Sequence, residues 1–102
     1  MNEVFKALAH PARRKILELL KKRDLTAGEL ADLVGEAPST MSGHFTVLKN
    51  ADLIHADRNG TTITYSLNLS VLEEALLAFA RAVGVGDGEK ESGTWKPEKD
   101  LS

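Results

Sequence analysis

The chain has no cysteine among its 102 residues, and aromatic residues make up only 5% of it. The absence of cysteine excludes disulfides, thiolate metal ligands, a cysteine nucleophile and a thiol redox switch. No apolar run approaches the roughly 18 residues that a membrane helix requires. The N-terminus also lacks the basic and then apolar pattern of a signal peptide. We therefore expect a cytoplasmic protein without membrane contact.

A strong charge of one sign is missing as well, because 13 basic and 15 acidic residues give a net charge of −2. The first fifty residues contain eight basic and six acidic residues, and the rest contain five and nine. Even the more basic half gives only a weak electrostatic signal for nucleic acid. The length and composition indicate one globular domain without room for a separate catalytic module.

The first half of the chain has the periodicity of several short helices. One covers residues 2–9, and a second begins at Pro11, where a helix tolerates proline as its first residue. That second helix closes with three cations, which either complement the negative end of the helix dipole or contact DNA: Lys21, Lys22 and Arg23. A third helix begins with the capping-box spacing of Thr26 and Glu29 and ends at Gly35.

Residues 38–51 have one apolar side and one polar side. Met41, Phe45 and Leu48 recur at i, i+4 and i+7, and the remaining surface is short, polar and nearly uncharged. Such a surface suits hydrogen bonding to base edges in a DNA groove. The tight connection to the preceding helix is typical of a helix-turn-helix, the alternative being an ordinary helical corner. The candidate DNA contacts on this helix are Ser39, Thr40, Ser42, Gly43, His44, Thr46 and Lys49.

After Ala51 the apolar period changes to two. Residues 53–58 and 61–67 predict two strands, and Asn59-Gly60 between them predicts a type I′ hairpin turn. A hairpin that directly follows a helix-turn-helix is called a wing. Its tip either contacts DNA phosphates or the minor groove, or is simply a solvated turn. The candidate contacts are Arg58, Asn59 and Thr61.

Residues 70–73 repeat the capping-box pattern and predict a last helix that extends to about Val83. Its apolar residues cover more surface than one small core needs. This predicts that the first and last helices pack against a second copy, the alternative being that both fold back onto the monomer. The predicted dimer interface consists of Val4, Phe5, Leu8, Leu72, Leu76, Phe79 and Val83.

The domain prediction assigns residues 1–83 to DNA binding and dimerisation. Residues 84–102 are rich in glycine and charge, which predicts a disordered acidic tail. Trp95 in that tail is either a docking residue or a chance aromatic. No histidine or serine has a catalytic setting, and Glu73 and Glu74 do not face each other, so we expect neither catalytic residues nor an enzyme.

Four blocks of sequence carry a family resemblance: VFKALAHPARRKILELL, LTAGELADL, MSGHFTVLKNADLI and RNGTTITYSL. In this order they resemble the ArsR/SmtB-type winged-helix repressors, over residues 3–83. The resemblance implies a mainly α fold with a β-hairpin wing, in the order of four helices, two strands and a fifth helix. It also implies a homodimer that represses transcription by binding an inverted-repeat operator in double-stranded DNA, often its own promoter.

Many members of that family sense metals, but the matching segments here lack the ligands. LTAGELADL has no thiolate where those sensors carry cysteines, and the last helix lacks their histidine and aspartate ligands. None of the three histidines, His10, His44 and His55, has a ligand partner at i+4. The chain therefore resembles the metal-independent autorepressors of the family, and we expect neither a metal nor another cofactor.

The predicted DNA-binding helix, residues 38–51, departs from the family pattern at Gly43 and Thr46. Members of the family often have basic residues at these two positions. A glycine inside a helix costs about 1 kcal/mol relative to alanine, so stability does not explain it. Either its backbone approaches DNA closely, or base-reading charge has been lost. The second reading leads to the alternative function, a winged-helix protein-interaction module with weak or lost DNA binding.

Overall fold

The computed structural model describes residues 2–84, which form five helices and one three-stranded antiparallel sheet. The elements in chain order are α1 (Asn2–Leu8), α2 (Pro11–Lys22), β1 (Leu25–Thr26), α3 (Ala27–Val34), α4 (Pro38–Asn50), β2 (Ile54–Asn59), β3 (Thr62–Leu67) and α5 (Leu69–Ala82). The predicted mainly α fold with a β-hairpin is confirmed. The predictions for the tail, including Trp95, lie outside the described residues apart from Gly84.

The ends of the early helices follow from local hydrogen bonds. The Thr26 hydroxyl accepts the Glu29 N–H at 3.1 Å, and the Glu29 carboxylate accepts the Thr26 N–H at 2.9 Å, so the predicted capping box is confirmed. Gly35 ends α3 with a left-handed φ of 85° and donates its N–H to Ala31. At α2, the Nδ1 atom of His10 accepts the Ala12 N–H at 3.0 Å and caps the helix.

The sheet has the strand order β1-β3-β2, so the hairpin carries a third strand that the sequence did not predict. Leu25 pairs with Tyr65 and Thr26 pairs with Thr64. Two residues are too few to show an alternating pattern, which is why β1 could not be recognised from periodicity. As a consequence, Thr26 both caps α3 and belongs to the sheet of the wing.

The hairpin turn lies one residue later than predicted. Asn59 pairs with Thr62, which makes Gly60 and Thr61 the two central residues. The φ angle is positive at Gly60, at 65°, and not at Thr61. A glycine at the first central position fits a type II′ turn, so the type I′ prediction is wrong.

The start of α5 also differs from the prediction. The helix begins at Leu69, so Ser70 lies inside it and does not cap it. The Ser70 hydroxyl instead donates to Oδ1 of Asn68 at 3.2 Å. Asn68 donates its side-chain amide to the carbonyl of Asp52 and its backbone N–H to Leu53, both at 2.9 Å. The beginning of α5 is therefore held to the segment that follows α4.

The core lies in the compact unit that ends at Leu72. Its largest fully buried side chains are Ile16, Leu30, Met41, Leu48 and Leu53, each of which stabilises the fold by about 2 kcal/mol through apolar burial. The ring of Phe45 stacks on the ring of Tyr65, with centroids 4.3 Å apart. This contact holds α4 against the sheet.

A second unit begins at Glu73 and contains the rest of α5. Ala75 is buried, whereas about half of each large apolar side chain is exposed on Leu76, Leu77, Phe79 and Val83. Across residues 2–84, no helix has both the length and the apolar character needed to span a membrane.

Replacing Glu29 with Gln should remove a pH-dependent part of the stability. Acceptance of the Thr26 backbone N–H lowers the pKa of Glu29, so its ionised form favours the folded state. That contribution is complete above the unfolded-state pKa and is lost as pH falls through the lower folded-state pKa. In urea unfolding, the stability advantage of the wild type over Glu29→Gln should therefore shrink below the ordinary glutamate range.

The control for that experiment is Glu18→Gln, which removes an exposed carboxylate outside any helix cap. An advantage over Glu29→Gln that stays constant with pH would contradict the role assigned to the cap.

Candidate nucleic-acid interface

The two sides of α4 are separated as the sequence predicted. Met41, Phe45 and Leu48 are each at most 5% exposed and face the core. The residues on the outer face are all exposed: Ser39, Thr40, Ser42, Gly43, Thr46 and Lys49. The helix therefore presents a row of short polar groups on a backbone that its buried side holds in place.

The outer face offers both hydrogen-bond donors and acceptors. The hydroxyls of Ser39, Thr40 and Ser42 can serve in either role. The Thr46 hydroxyl donates to the Ser42 carbonyl at 3.1 Å, which leaves its lone pairs to act as acceptors. Because these side chains are short, a partner surface can come close to the helix.

Gly43 lies in the middle of this face, and the packing of the chain does not require it. A Cβ atom built there would meet nothing within 4 Å, and the residue has no left-handed φ. Alanine would therefore fit within the chain. Any reason for glycine at this position has to come from outside the chain.

The wing presents the other predicted contacts. Arg58 and Asn59 at the end of β2 and Gly60 and Thr61 in the turn are all exposed. Phe45 of α4 stacks on Tyr65 of β3, so the helix packs directly against the wing. The structure thus brings the predicted residues of the helix and of the hairpin into the same compact unit.

His44 is the exception, and its predicted contact with bases is wrong. The side chain is only 6% exposed, with Nε2 3.0 Å from Oε1 of Glu36 and Nδ1 3.3 Å from Nη1 of Arg13. The spacing explains this, since His44 lies three residues after Met41 and four before Leu48. It therefore belongs to the buried stripe, and a complete i, i+3, i+4, i+7 pattern would have identified it.

The hydrogen-bond partners of His44 indicate which of its ring nitrogens carries the hydrogen. A guanidinium carries only donors, so Nδ1 of His44 must accept from Arg13, and Nε2 carries the hydrogen that it donates to Glu36. The ring of His10 lies beside it, with centroids 4.6 Å apart. The Nδ1 atom of His10 is also an acceptor, because it receives the Ala12 N–H.

Arg13 and Glu36 complete this polar cluster, and the sequence analysis assigned no role to either. Arg13 donates from Nε to the Ala7 carbonyl at 2.9 Å and from Nη2 to the Lys6 carbonyl at 3.1 Å. No local spacing rule connects Arg13 with His44, which lies 31 residues away. Only the packing of α2 against α4 brings them together.

The remaining charged residues do not indicate which surface would bind nucleic acid. Ten basic and ten acidic residues fall within residues 2–84. Arg23 lies 3.9 Å from Glu29, so one of the three cations at the end of α2 faces a carboxylate. Among the described residues, no three histidine, aspartate or glutamate side chains come together as a metal site would require.

The exposure of apolar residues on α1 and α5 differs at two positions from what the predicted dimer interface would suggest. Val4 is only 6% exposed, so it belongs to the core of the single chain and offers little surface to a second copy. Leu77, which was not assigned to the interface, is 53% exposed. Phe5, Leu8 and Leu72 are half-buried.

Known proteins share this sequence pattern. Residues 8–56 match a family described as a helix-turn-helix domain. The transcriptional repressor SdpR of Bacillus subtilis is 42% identical over 89 residues, which cover 87% of this chain and 99% of that repressor.

Solved structures share the fold. The crystal structure of Rv0081 of Mycobacterium tuberculosis has a TM-score of 0.64 and 41% identity, and it covers 88% of this chain and 90% of that one. An ArsR family transcriptional regulator, RHA00566, has a TM-score of 0.71 and 28% identity, with 80% and 92% covered. This chain therefore belongs to the ArsR family of winged-helix transcriptional regulators, which are DNA-binding proteins and not enzymes.

Proposed function

We propose that this chain is a dimeric, sequence-specific repressor that binds an inverted-repeat operator in double-stranded DNA without sensing a metal. The observation that carries the proposal is the exposed polar face of α4, which lies directly opposite the buried Met41, Phe45 and Leu48. A rigid helix with short hydroxyl groups on its outer side fits the major groove. The similarity to a named transcriptional repressor supports the same direction.

The contacts divide into two kinds. Side chains on α4 that reach base edges supply specificity, and cations together with the wing hold phosphates and set the register. In the proposal the base-facing residues are Ser39, Thr40, Ser42, Gly43 and Thr46, and the phosphate-facing residues are Lys49, Arg58, Asn59 and Thr61. His44 belongs to neither group, since its ring is buried.

We infer dimerisation from the exposed apolar side chains of α5 and of Val83, which follows the end of that helix. Leu76, Phe79 and Val83 recur at i, i+3 and i+7, and each is about half exposed. Covering them with a second copy removes this surface from water. Two copies related by a two-fold axis then present two α4 helices to half-sites about one DNA turn apart.

The direct test is binding of labelled DNA from the chain's own upstream region, compared with a scrambled duplex at about 0.1 M salt. The proposal requires a clear preference for the promoter and a symmetric footprint. Equal binding of both duplexes would overturn it. Capture of a different protein together with an empty promoter would favour the interaction module instead.

Ser42→Ala and Arg58→Ala should weaken binding in different ways. Loss of a single hydrogen bond from the Ser42 hydroxyl to a base should weaken operator binding by about 1 kcal/mol and leave the affinity for random DNA unchanged. Loss of a phosphate contact at Arg58 should weaken all sequences and reduce the salt slope by about one. Fluorescence anisotropy at several salt concentrations measures both. Arg81→Ala on α5 is the charge-matched control and should change neither.

Gly43→Ala should separate stability from DNA binding. Alanine fits at this exposed helical position and should stabilise the fold by about 1 kcal/mol. If the backbone at Gly43 approaches DNA closely, the added methyl should nevertheless weaken operator binding. Gly28→Ala in α3, another helical glycine with open space around it, should add stability without that loss. Unchanged operator binding by Gly43→Ala would exclude close approach at this position.

Leu76→Glu should shift the protein towards monomer, because a charge cannot be buried cheaply in an apolar interface. Sedimentation velocity should show the shift, and operator binding should weaken with it. Leu33→Glu is matched in exposure, at 52% against 49%, and lies on α3. It should leave the oligomeric state unchanged. A Leu76→Glu protein that remains fully dimeric would remove α5 from the interface.

A further inference from the structure

Arg13 lies in the first turn of α2, yet the three hydrogen bonds of its side chain all leave that helix. Nε donates to the carbonyl of Ala7, Nη2 to the carbonyl of Lys6, and Nη1 to Nδ1 of His44. The last four carbonyls of a helix have no partner within it. Arg13 therefore binds two of the last carbonyls of α1, of which that of Lys6 also accepts the Ala9 N–H at 3.3 Å, and it contacts α4 with the same group.

The shape of the guanidinium makes these bonds interdependent. Its N–H groups lie in one plane at fixed angles, so the positions of the three acceptors constrain one another. A shift of the end of α1 would rotate or translate the plane that holds His44. A lysine, with one flexible ammonium, could not impose the same geometry.

His44 extends the connection to the start of its own helix. It accepts from Arg13 and donates to Glu36, which lies in the turn between α3 and α4. The hydrogen bonds thus run in one direction, from Arg13 through His44 to Glu36. The ring is buried, and hydrogen bonds in such surroundings are stronger than those exposed to water.

The buried polar atoms of the cluster all have hydrogen-bond partners. Within the described part of the chain, no buried side-chain nitrogen or oxygen lacks a hydrogen-bond partner. Removing one member would leave its partners without theirs, which costs more than the net contribution of a typical hydrogen bond. We name this set, Arg13, His44 and Glu36, the polar relay.

We propose that Arg13 and His44 are positioning residues, whose polar relay sets the placement of α4 relative to α1 and thereby controls operator affinity without touching DNA. The inference rests on the proposed function, because it takes α4 as the helix that reads DNA. It goes further by assigning the geometry of that helix to two residues on its buried side. It also links α4 to α1, which the sequence analysis predicted to take part in the dimer.

The salt dependence of binding distinguishes positioning from direct contact. Arg13→Gln should weaken operator binding about tenfold, because α4 loses its register. The salt slope should stay unchanged, because no phosphate contact is removed. A slope that falls by about one would mean that Arg13 binds phosphate directly, and the proposal would be overturned.

Glu36 provides a matched pair of variants. Glu36→Ala removes the acceptor for His44 and should lower operator affinity, whereas Glu36→Gln retains an acceptor oxygen and should restore most of the loss. This rescue is expected if the contact is a hydrogen bond that His44 donates and not an ion pair that needs the charge of Glu36. Equal losses in both variants would show that an ion pair operates instead, and the assigned direction of the relay would be wrong.

Structural and functional failures can be told apart by NMR spectroscopy without DNA. The ring nitrogens of His44 should show hydrogen on Nε2 in the wild type, and Arg13→Gln should shift the backbone amides of α4 while the protein stays folded by circular dichroism. Unshifted α4 amides would overturn the relay even if the wild type binds its operator. If the wild type shows no preference for its promoter, the proposed function fails. The shifts of the α4 amides in Arg13→Gln would still show whether the polar relay positions α4.

Should Arg13→Gln not fold, the Glu36 pair carries the test alone, since Glu36 is only partly buried, with 34% of its side chain exposed. Operator binding by a folded Glu36→Ala that equals the wild type would then overturn the proposal.

Discussion

The fold depends on the burial of one side of α4. Met41, Phe45 and Leu48 fix the rotation of this helix about its axis, and the stacking of Phe45 on Tyr65 fixes its distance from the sheet. Once the rotation of α4 is fixed, the residues that point away from the core are fixed as well. The same burial that stabilises the domain therefore determines which side chains face outward, and the function proposed for α4 is a consequence of its packing.

A polar cluster inside an otherwise apolar side refines this arrangement. Apolar contacts are not directional, so they tolerate small rotations and shifts of a helix. Hydrogen bonds from His44 to Glu36 and from Arg13 to His44 are directional and add a register to the packing. A protein that must match the spacing of base pairs needs such a register more than it needs additional stability.

Much of the local chemistry was predictable from the sequence, and long-range chemistry was not. The capping box at Thr26, the left-handed Gly35 and the apolar stripe of α4 depend on residues within four positions of one another, and all three were found as predicted. The strand β1 and the hydrogen bond between Arg13 and His44 depend on partners elsewhere in the chain. Thr26, for example, belongs to a strand only because Thr64 lies beside it. The turn at Gly60 and the burial of His44 are local features that the sequence analysis assigned wrongly.

The two roles of Thr26 have a consequence for the DNA that the protein can recognise. Thr26 caps α3 and also pairs with β3, so β1 connects the start of α3 to the wing. The stacking of Phe45 on Tyr65 connects α4 to the wing as well. The wing then has little freedom to adjust by itself to a narrow or wide groove. If the chain binds an operator as proposed, the duplex rather than the wing has to deform, so the flexibility of its base steps, including steps that no side chain touches, would affect which sites are preferred.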